Sequence, residues 1–372
     1  MVFRKVKMRV LITGGGTGGH VYPALSIADE LKKKYNKIDI LFVGTNRGLE
    51  ADVVPKAGYD FKTVEVKGFR RKLSLDTLKT FGVMFKGYHQ AGKIIKQFKP
   101  DIIVGTGGYV AGPVMMQGVM RGIKTLVHEQ NAIPGVTVKI LSRFVNKVVL
   151  SYEESETYFK KKDHLEVAGN PVRNAFSNLD KEICRKKLQI DKPCLFSVGG
   201  SGGAMCINDA AMEVIEKYNG KDVQVIHVTG KRYYDEFMEK LSSKGLVLED
   251  NIKVMKYVYN MPEYMVAADL MISRSGALSL SEIALVGIPS ILIPSPNVAH
   301  NHQEHNAKVY EKHGAAIMLK ESDIKENTIY QIVEEHLFNK DHLETMSINA
   351  KGLAKPYATK EIVDSIRNLV NM

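Results

Sequence analysis

The sequence predicts an α/β protein made of two Rossmann-like parallel-sheet domains facing a cleft. Three observations carry that expectation. Strand-like apolar runs alternate with helical patterns along the 372 residues. Glycine-rich turns follow strands in both halves and lead into helices. The alternation pauses at Gly169-Asn170-Pro171-Val172-Arg173, a hinge-like punctuation, and then restarts. A chain of this length suits two domains or three small ones, and the pause favours two, 1–172 and 173–354.

The first strand reads at 8–13 around Val10-Leu11-Ile12 and ends in Gly14-Gly15-Gly16-Thr17-Gly18-Gly19-His20. Val21, Ala24, Leu25, Ala28 and Leu31 then recur at helical spacing, so this loop enters a helix N-terminus. Glycine lets the backbone turn tightly and lets a ligand approach it. The N–H groups and the helix dipole favour a phosphate there. Gly14, Gly16 and Gly19 also fit the dinucleotide fingerprint, which needs an acid at the end of the second strand. That strand, 38–43, runs into Gly44-Thr45-Asn46. Asp39 lies at its beginning and Glu50 beyond it, so no nicotinamide cofactor is expected.

Further strands read at 101–104, 124–127 and 147–150. Gly105-Thr106-Gly107-Gly108-Tyr109-Val110-Ala111-Gly112-Pro113 is a second glycine turn between strand and helix. His128-Glu129-Gln130-Asn131 forms a polar cluster at a strand end, expected to face the ligand crevice of a doubly wound sheet. In the second half, strands read at 195–198, 223–228, 270–272 and 291–293. Gly199-Gly200-Ser201-Gly202-Gly203-Ala204 repeats the opening device. Ser273-Arg274-Ser275-Gly276-Ala277 is another turn, into a helix carrying Glu282, and the tail from about 322 reads as helices.

Composition narrows the class. A charged fraction of 25% and ordinary hydrophobicity suit a soluble globular protein. No apolar run is long enough to span a bilayer, and the basic start precedes a run too short for a signal peptide. Three cysteines without C-x-x-C spacing suit a reducing cytoplasm and argue against a disulfide frame or zinc site. The net charge of +11 calls for an acidic partner: nucleic acid, anionic lipid or a phosphorylated substrate. Between Lys67 and Lys99, nine basic residues face one acid, Asp76, with Phe69, Leu73, Leu75, Leu78, Phe81, Val83, Met84 and Phe85 interleaved. This stretch fits an amphipathic surface for anionic lipid; it equally fits a solvated basic helix whose apolar face is core.

His20 starts a helix, where the dipole disfavours imidazolium; the ring is expected to be neutral and able to take a proton, or else to cap or pack. Glu129 and Asn131 suit polar positioning, or tying down the loop before Pro134. His300, His302 and His305 lack a recognised ligand frame, and Gln303 and Glu304 suit sugar hydroxyls as well. No Asp-x-Asp pair is present, so no metal is expected, and a leaving phosphate must be stabilised by helix dipoles and backbone N–H groups. Neither G-x-S-x-G nor a P-loop supports a hydrolase or kinase.

The motifs GGTGGH (15–20), GGYVAGP (107–113), HEQN (128–131), GNPVR (169–173), GGSGGA (199–204), RSGALSLSE (274–282) and HQEHNA (302–307) together resemble the MurG family of N-acetylglucosaminyltransferases. The resemblance covers nearly the whole chain. It implies a GT-B fold, with the last helix, about 355–372, returning to the N-terminal acceptor domain. The implied activity is inverting transfer of GlcNAc from UDP-GlcNAc to lipid I in peptidoglycan synthesis, with a place in cell shape and division. By this resemblance Glu282 would hold the ribose, Val258 would meet uracil through its backbone, and Ser201 and Arg173 would contact the diphosphate. Ala277, Gln303 and Asn131 would contact the sugar, with Thr17, Gly18 and Gly19 also on the donor side. Gly15, Gly16, Gly107, Gly108 and Tyr109 would receive the acceptor, and His20 and Glu129 are the catalytic candidates. The implied partners are UDP-GlcNAc, lipid I and an anionic membrane surface, without nucleic acid, cofactor or metal. The implied place is peripheral, on the cytoplasmic face of the membrane. Gly202 stands where the family usually has Gln, and His302 where some members carry a second Gln. The rival activities are a diacylglycerol glycosyltransferase and a UDP-GlcNAc 2-epimerase of the same fold; a non-enzymatic lipid-docking protein is a third class.

Overall fold

Strands buried on both faces read as continuous apolar runs, and β1 (Met8–Thr13) shows why. Val10 and Ile12 point to one core, Leu11 to another, and all three are fully buried. The computed structural model describes residues 7–67, 75–172, 176, 179–200 and 202–371, with 75–81 as backbone alone. The chain divides into two compact units, Met1–Val172 with Pro356–Met372, and Arg173–Lys355.

The first unit continues with α1 (Gly18–Lys34), β2 (Ile38–Gly44), α2 (Glu50–Lys56), β3 (Asp60–Thr63) and α3 (Leu75–Phe98). Then come β4 (Ile102–Gly105), α4 (Ala111–Met120), β5 (Lys124–Glu129), α5 (Val136–Leu141), β6 (Lys147–Leu150) and β7 (Leu165–Val167). Its seven strands are parallel in the order β3-β2-β1-β4-β5-β6-β7. Chain direction across the sheet therefore reverses between β1 and β4, the place where such sheets bind ligands. The edge strands β3 and β7 are additions to the strands read from sequence, and β5 runs two residues further than expected.

The second unit contains α6 (Lys181–Leu188), β8 (Cys194–Val198), α7 (Met205–Tyr218), β9 (Gln224–Val228), α8 (Tyr234–Ser243) and β10 (Ile252–Met255). It goes on through α9 (Met261–Ala267), β11 (Leu270–Ser273), α10 (Ala277–Val286), β12 (Ser290–Leu292), α11 (His302–Lys312) and β13 (Ala316–Met318), then α12 (Thr328–Leu337) and α13 (Lys340–Gly352). Its order, β10-β9-β8-β11-β12-β13, repeats the first sheet's plan, with the reversal between β8 and β11. Leu195, Val225, Leu270, Ile272 and Ile291 of the sheet meet Ile207, Val214 and Ile215 of α7 and Ile329, Val333 and Leu337 of α12.

The last helix, α14 (Ala358–Leu369), belongs to the first unit. Its Ile362, Val363 and Ile366 complete the core made by Val21, Ala24, Ile27, Ala28 and Leu31 of α1. Lys34 pairs with Asp364, and Ser365 donates to Glu166 at 2.6 Å. On the other face, Ala91, Ile94 and Ile95 of α3 join the core, while Lys93 and Lys96 stay exposed. That half of the basic stretch is a solvated helix with a core face. Phe85 is 66% exposed. Phe69, Leu73, Leu75, Leu78 and Phe81, with Arg70, Arg71 and Lys72, lie outside the described residues or side chains. Among the described residues, no helix is long and apolar enough to cross a membrane.

Candidate functional site

At the first reversal point Thr13 of β1 and Gly105 of β4 are register partners, so their two glycine turns leave the sheet side by side. The Thr106 N–H donates to the Thr13 carbonyl at 2.9 Å, and its hydroxyl to the His20 carbonyl at 2.7 Å. The turns touch closely enough to require glycine. Gly108 has φ of +80°, and a Cβ there would stand 2.4 Å from the Gly15 carbonyl. Gly15, Gly16, Gly107 and Gly108 are thus brought together with the start of α1. Thr17 caps that helix in extended conformation, and its first turn holds no acid, which leaves the dipole to favour an anion near Gly18 and Gly19. Tyr109 is 58% exposed beside them.

Beneath the β1 turn lies Glu50, which in the sequence stands beyond the end of the second strand. Its carboxylate is buried and accepts from the Gly16 N–H at 2.8 Å, the Thr45 N–H at 2.9 Å and the Thr45 hydroxyl at 2.7 Å. Burial pushes its pKa up, but the bonds from Gly16 and Thr45 outweigh it, and the net direction is down. The Gly16 amide is therefore already committed within the protein. The sequence signal for this brace was slight: Glu50 opens α2, 34 positions from Gly16.

The polar cluster at the end of β5 differs from its expected setting. His128, Glu129 and Gln130 do not face an open crevice; they are 0%, 2% and 2% exposed and brace neighbouring turns. The Glu129 carboxylate accepts from the Asn131 N–H at 3.0 Å, the Asn131 amide at 3.2 Å and the Gly135 N–H at 2.9 Å. Here burial prevails over those bonds, and its pKa is raised. For Glu129 to act as the reacting base, these bonds to the loop would have to open. Half-buried His20 places Nδ1 2.9 Å from the Thr106 carbonyl and 3.1 Å from Gln130 Oε1. Gln130 Nε2 reaches the Thr106 carbonyl at 2.8 Å and His128 Nδ1 at 3.0 Å, and His128 Nε2 reaches the Gly169 carbonyl at 2.9 Å.

The second unit repeats the device with a different surround. Val198 of β8 and Ser273 of β11 are register partners, and the turns beyond them border a pocket of about 880 Å³. Gly199, Gly203, Arg274, Ser295 and Gln303 contribute to its lining. Gly203, at φ +74°, would put a Cβ 2.2 Å from the Thr229 carbonyl. Arg274 donates to the Ile293 carbonyl at 3.0 Å and pairs with Glu321. Gln303 Oε1 accepts from the Ser295 N–H at 2.9 Å, so its amide hydrogens remain as donors. Cys206 also lines the pocket; burial pushes its thiol up to about 11, so no thiolate is on offer at neutral pH.

Among the described residues, the other expected donor contacts are not part of this pocket's lining. Ala277 is the first residue of α10, half-buried Glu282 lies further along the same helix, and Val258 is buried between β10 and α9. Asn131 belongs to the first unit. Ser201 and Arg173 lie outside the described residues. At Gly202 an added Cβ would meet nothing within 4 Å. Glu304 is held by Lys308, Asn301 and Lys320, which bring its pKa down to about 2, so it is already engaged by charge. His302 Nδ1 faces the Ala299 carbonyl at 2.8 Å. Among the described residues, no group of three or more His, Cys, Asp or Glu is placed to hold a metal ion.

Two doubly wound parallel sheets, each with glycine turns at its reversal point, fit the two-domain glycosyltransferases. The Glycosyltransferase family 28 N-terminal domain matches residues 10–150 and the Glycosyltransferase family 28 C-terminal domain matches 194–362. The chain belongs to glycosyltransferase family 28. A relative from Desulforamulus reducens is 45% identical over 98% of this chain and 99% of its own length, and one from Caldanaerobacter subterraneus subsp. tengcongensis is 46% identical over 97% and 100%. Both are named UDP-N-acetylglucosamine–N-acetylmuramyl-(pentapeptide) pyrophosphoryl-undecaprenol N-acetylglucosamine transferase. The crystal structure of Acinetobacter baumannii MurG aligns with a TM-score of 0.77 at 26% identity, covering 97% of this chain and 99% of that one. An S. aureus MnaA–UDP structure aligns at 0.70 with 13% identity, covering 98% and 97%, a likeness of fold alone. The two Rossmann-like domains are therefore those of a GT-B fold.

Proposed function

We propose that this enzyme transfers GlcNAc from UDP-GlcNAc to the C4 hydroxyl of the muramyl sugar of lipid I, giving lipid II. The observation that carries the reading is full-length identity of 45% to a relative named for that transfer. The paired glycine turns supply chemistry consistent with it.

In this reading His20 removes the proton of the C4 hydroxyl. The oxygen attacks the anomeric carbon on the face opposite UDP, the bond to the diphosphate breaks, and a β-1,4 bond forms with inversion. The proton ends on His20 and the negative charge on UDP, where helix N-termini and backbone N–H groups stabilise it. The donor would be held by Glu282 on the ribose, Val258 at the uracil, Arg173 and Ser201 at the diphosphate, and Ala277, Gln303 and Asn131 at the sugar. Gly107, Gly108 and Tyr109 would receive the acceptor with Gly15, Gly16, Thr17, Gly18 and Gly19 beside them. Glu129 fastens the loop that carries Asn131. No metal or cofactor is assigned a step.

The acceptor's polyprenyl tail requires the enzyme to reach a bilayer from its cytoplasmic face. The part of the basic stretch that precedes the core-packed half of α3 is the proposed contact, supported by its charge and interleaved apolar residues. Each Lys or Arg near an anionic surface contributes about 1 kcal/mol, screened by salt. Flotation with anionic liposomes should show binding that weakens at high salt. Joint replacement of Arg70, Arg71 and Lys72 by Glu should release the folded protein; continued flotation would move the contact elsewhere.

The deciding assay is transfer of radiolabelled GlcNAc to a lipid I analogue, with a diacylglycerol control and a lipid-free control, each repeated in EDTA. Product on lipid I alone supports the proposal. Product on diacylglycerol, or sugar conversion without lipid, would replace it by one of the rival activities. Metal-reversible loss in EDTA would assign a metal.

A further inference from the structure

We propose that Gln130 is the positioning residue that sets the tautomer of His20, fixing the proton on Nδ1 and the basic lone pair on Nε2. This inference rests on the proposed role of His20 as the base.

The far end of the hydrogen-bond chain fixes the direction of every bond in it. The Gly169 carbonyl can only accept, so His128 Nε2, 2.9 Å away, carries a hydrogen. The Ser151 hydroxyl gives its hydrogen to the Glu129 carbonyl at 2.8 Å, leaving its oxygen as a weak second acceptor 3.4 Å from the same nitrogen. His128 is fully buried, and burial drives its pKa down to about 4, so the ring is neutral and Nδ1 is an acceptor.

Gln130 Nε2 then faces two acceptors, His128 Nδ1 at 3.0 Å and the Thr106 carbonyl at 2.8 Å. Its two amide hydrogens satisfy both. The flipped amide would set its oxygen against both acceptors, so the network decides which end is nitrogen. Gln130 Oε1 is therefore the atom 3.1 Å from His20 Nδ1, and the Thr106 carbonyl lies 2.9 Å from that same nitrogen. Both are acceptors, so Nδ1 is the donor.

The residue giving this direction is an amide where many histidine bases have a carboxylate. A carboxylate would stabilise imidazolium and raise the ring's pKa. The amide orients the ring without adding charge. Among the titratable groups nearby, His128 on β5 is neutral, Glu129 is held by Asn131 and Gly135, and Glu50 by Gly16 and Thr45. Within the family motif HEQN, the glutamine is thereby distinguished from the glutamate beside it: one aims the base, the other fastens a loop.

The test begins with the unaltered enzyme labelled with 15N-histidine, His20 being assigned by the signals lost in His20→Ala. Long-range 1H–15N spectra should show His20 protonated at Nδ1 and His128 at Nε2. Gln130→Glu should move the acid limb of kcat/KM upward by about one pH unit or more, with the KM for UDP-GlcNAc unchanged. Gln130→Met should lower kcat by roughly tenfold or more, and should add no further loss in a His20→Ala background. An Nε2-protonated His20, an unmoved acid limb, or full additivity of the two losses would overturn the proposal. Near-normal kcat in His20→Ala would instead overturn the base reading, and the tautomer spectra would still decide the hydrogen-bond assignment.

Discussion

The two glycine turns hold equivalent places in sheets of the same plan, yet what lies beneath them differs. Under the β1 turn, Glu50 fills the space and occupies the Gly16 amide, while Gln130, itself bonded to His128, reaches His20 from the side. Beyond the β8 turn the space stays open as a pocket, bordered by Arg274 and the donor end of Gln303. A backbone device that suits phosphate in both units is thus specialised by its supporting side chains. In one it carries a braced histidine, and in the other it leaves room for a ligand.

The sharpest way to break that contrast is His20→Ala. It should lower kcat by about 10²–10⁴-fold while UDP still binds, read by steady-state kinetics and calorimetry. Retained turnover would remove the catalytic half of the comparison.

Glu50→Ala comes next. It leaves the Gly16 and Thr45 donors without their buried acceptor and should lower stability by about 3 kcal/mol, measured by urea unfolding. Because Glu50's folded pKa is depressed, its stabilisation is fully present above the unfolded value and is lost as pH falls through the lower folded value. Glu50→Gln should therefore flatten the acid limb of stability against pH. An unchanged limb would show that the brace does not depend on charge.

Glu282→Ala tests the other unit. Loss of an acceptor for ribose hydroxyls should weaken donor binding by about 2 kcal/mol, roughly thirtyfold in KM, leaving the KM for lipid I unaffected. An unchanged donor KM would take Glu282 out of the site. The smallest effect belongs to Gly202→Gln, where the added side chain has open space. Stability should stay within about 0.5 kcal/mol by thermal unfolding. A larger loss would mean that the turn cannot present the side chain usual in the family.

The central strands were legible because burial on both faces leaves no polar alternation: Val10-Leu11-Ile12 and Ile102-Ile103-Val104 are almost pure core. The edges were not. β3 is Asp-Phe-Lys-Thr and mostly solvated, while β7 and β13 have three residues each, too short for a period to show. At the site, spacing revealed the glycine turns and the histidine after the first. It could not reveal what braces them, since Glu50 and Gln130 reach their partners across 34 and 110 positions of chain. The HEQN cluster was recognisable as polar groups at a strand end. Its burial followed from the turns packed over it, which no local pattern encodes.

Helix α14 makes the first unit discontinuous, and this bears on how the protein is made. During synthesis from the N-terminus, α1 emerges early, but Ile362, Val363 and Ile366 arrive only after the whole second unit. Each such side chain contributes about 1.5–3 kcal/mol when buried. Until they dock, the apolar stripe of α1 stays open to solvent or to another chain. The second unit, by contrast, is continuous from Arg173 to Lys355 and can fold as it leaves the ribosome. A nascent chain stalled short of residue 356 would therefore carry a closed second unit and a first unit whose core lacks Ile362, Val363 and Ile366.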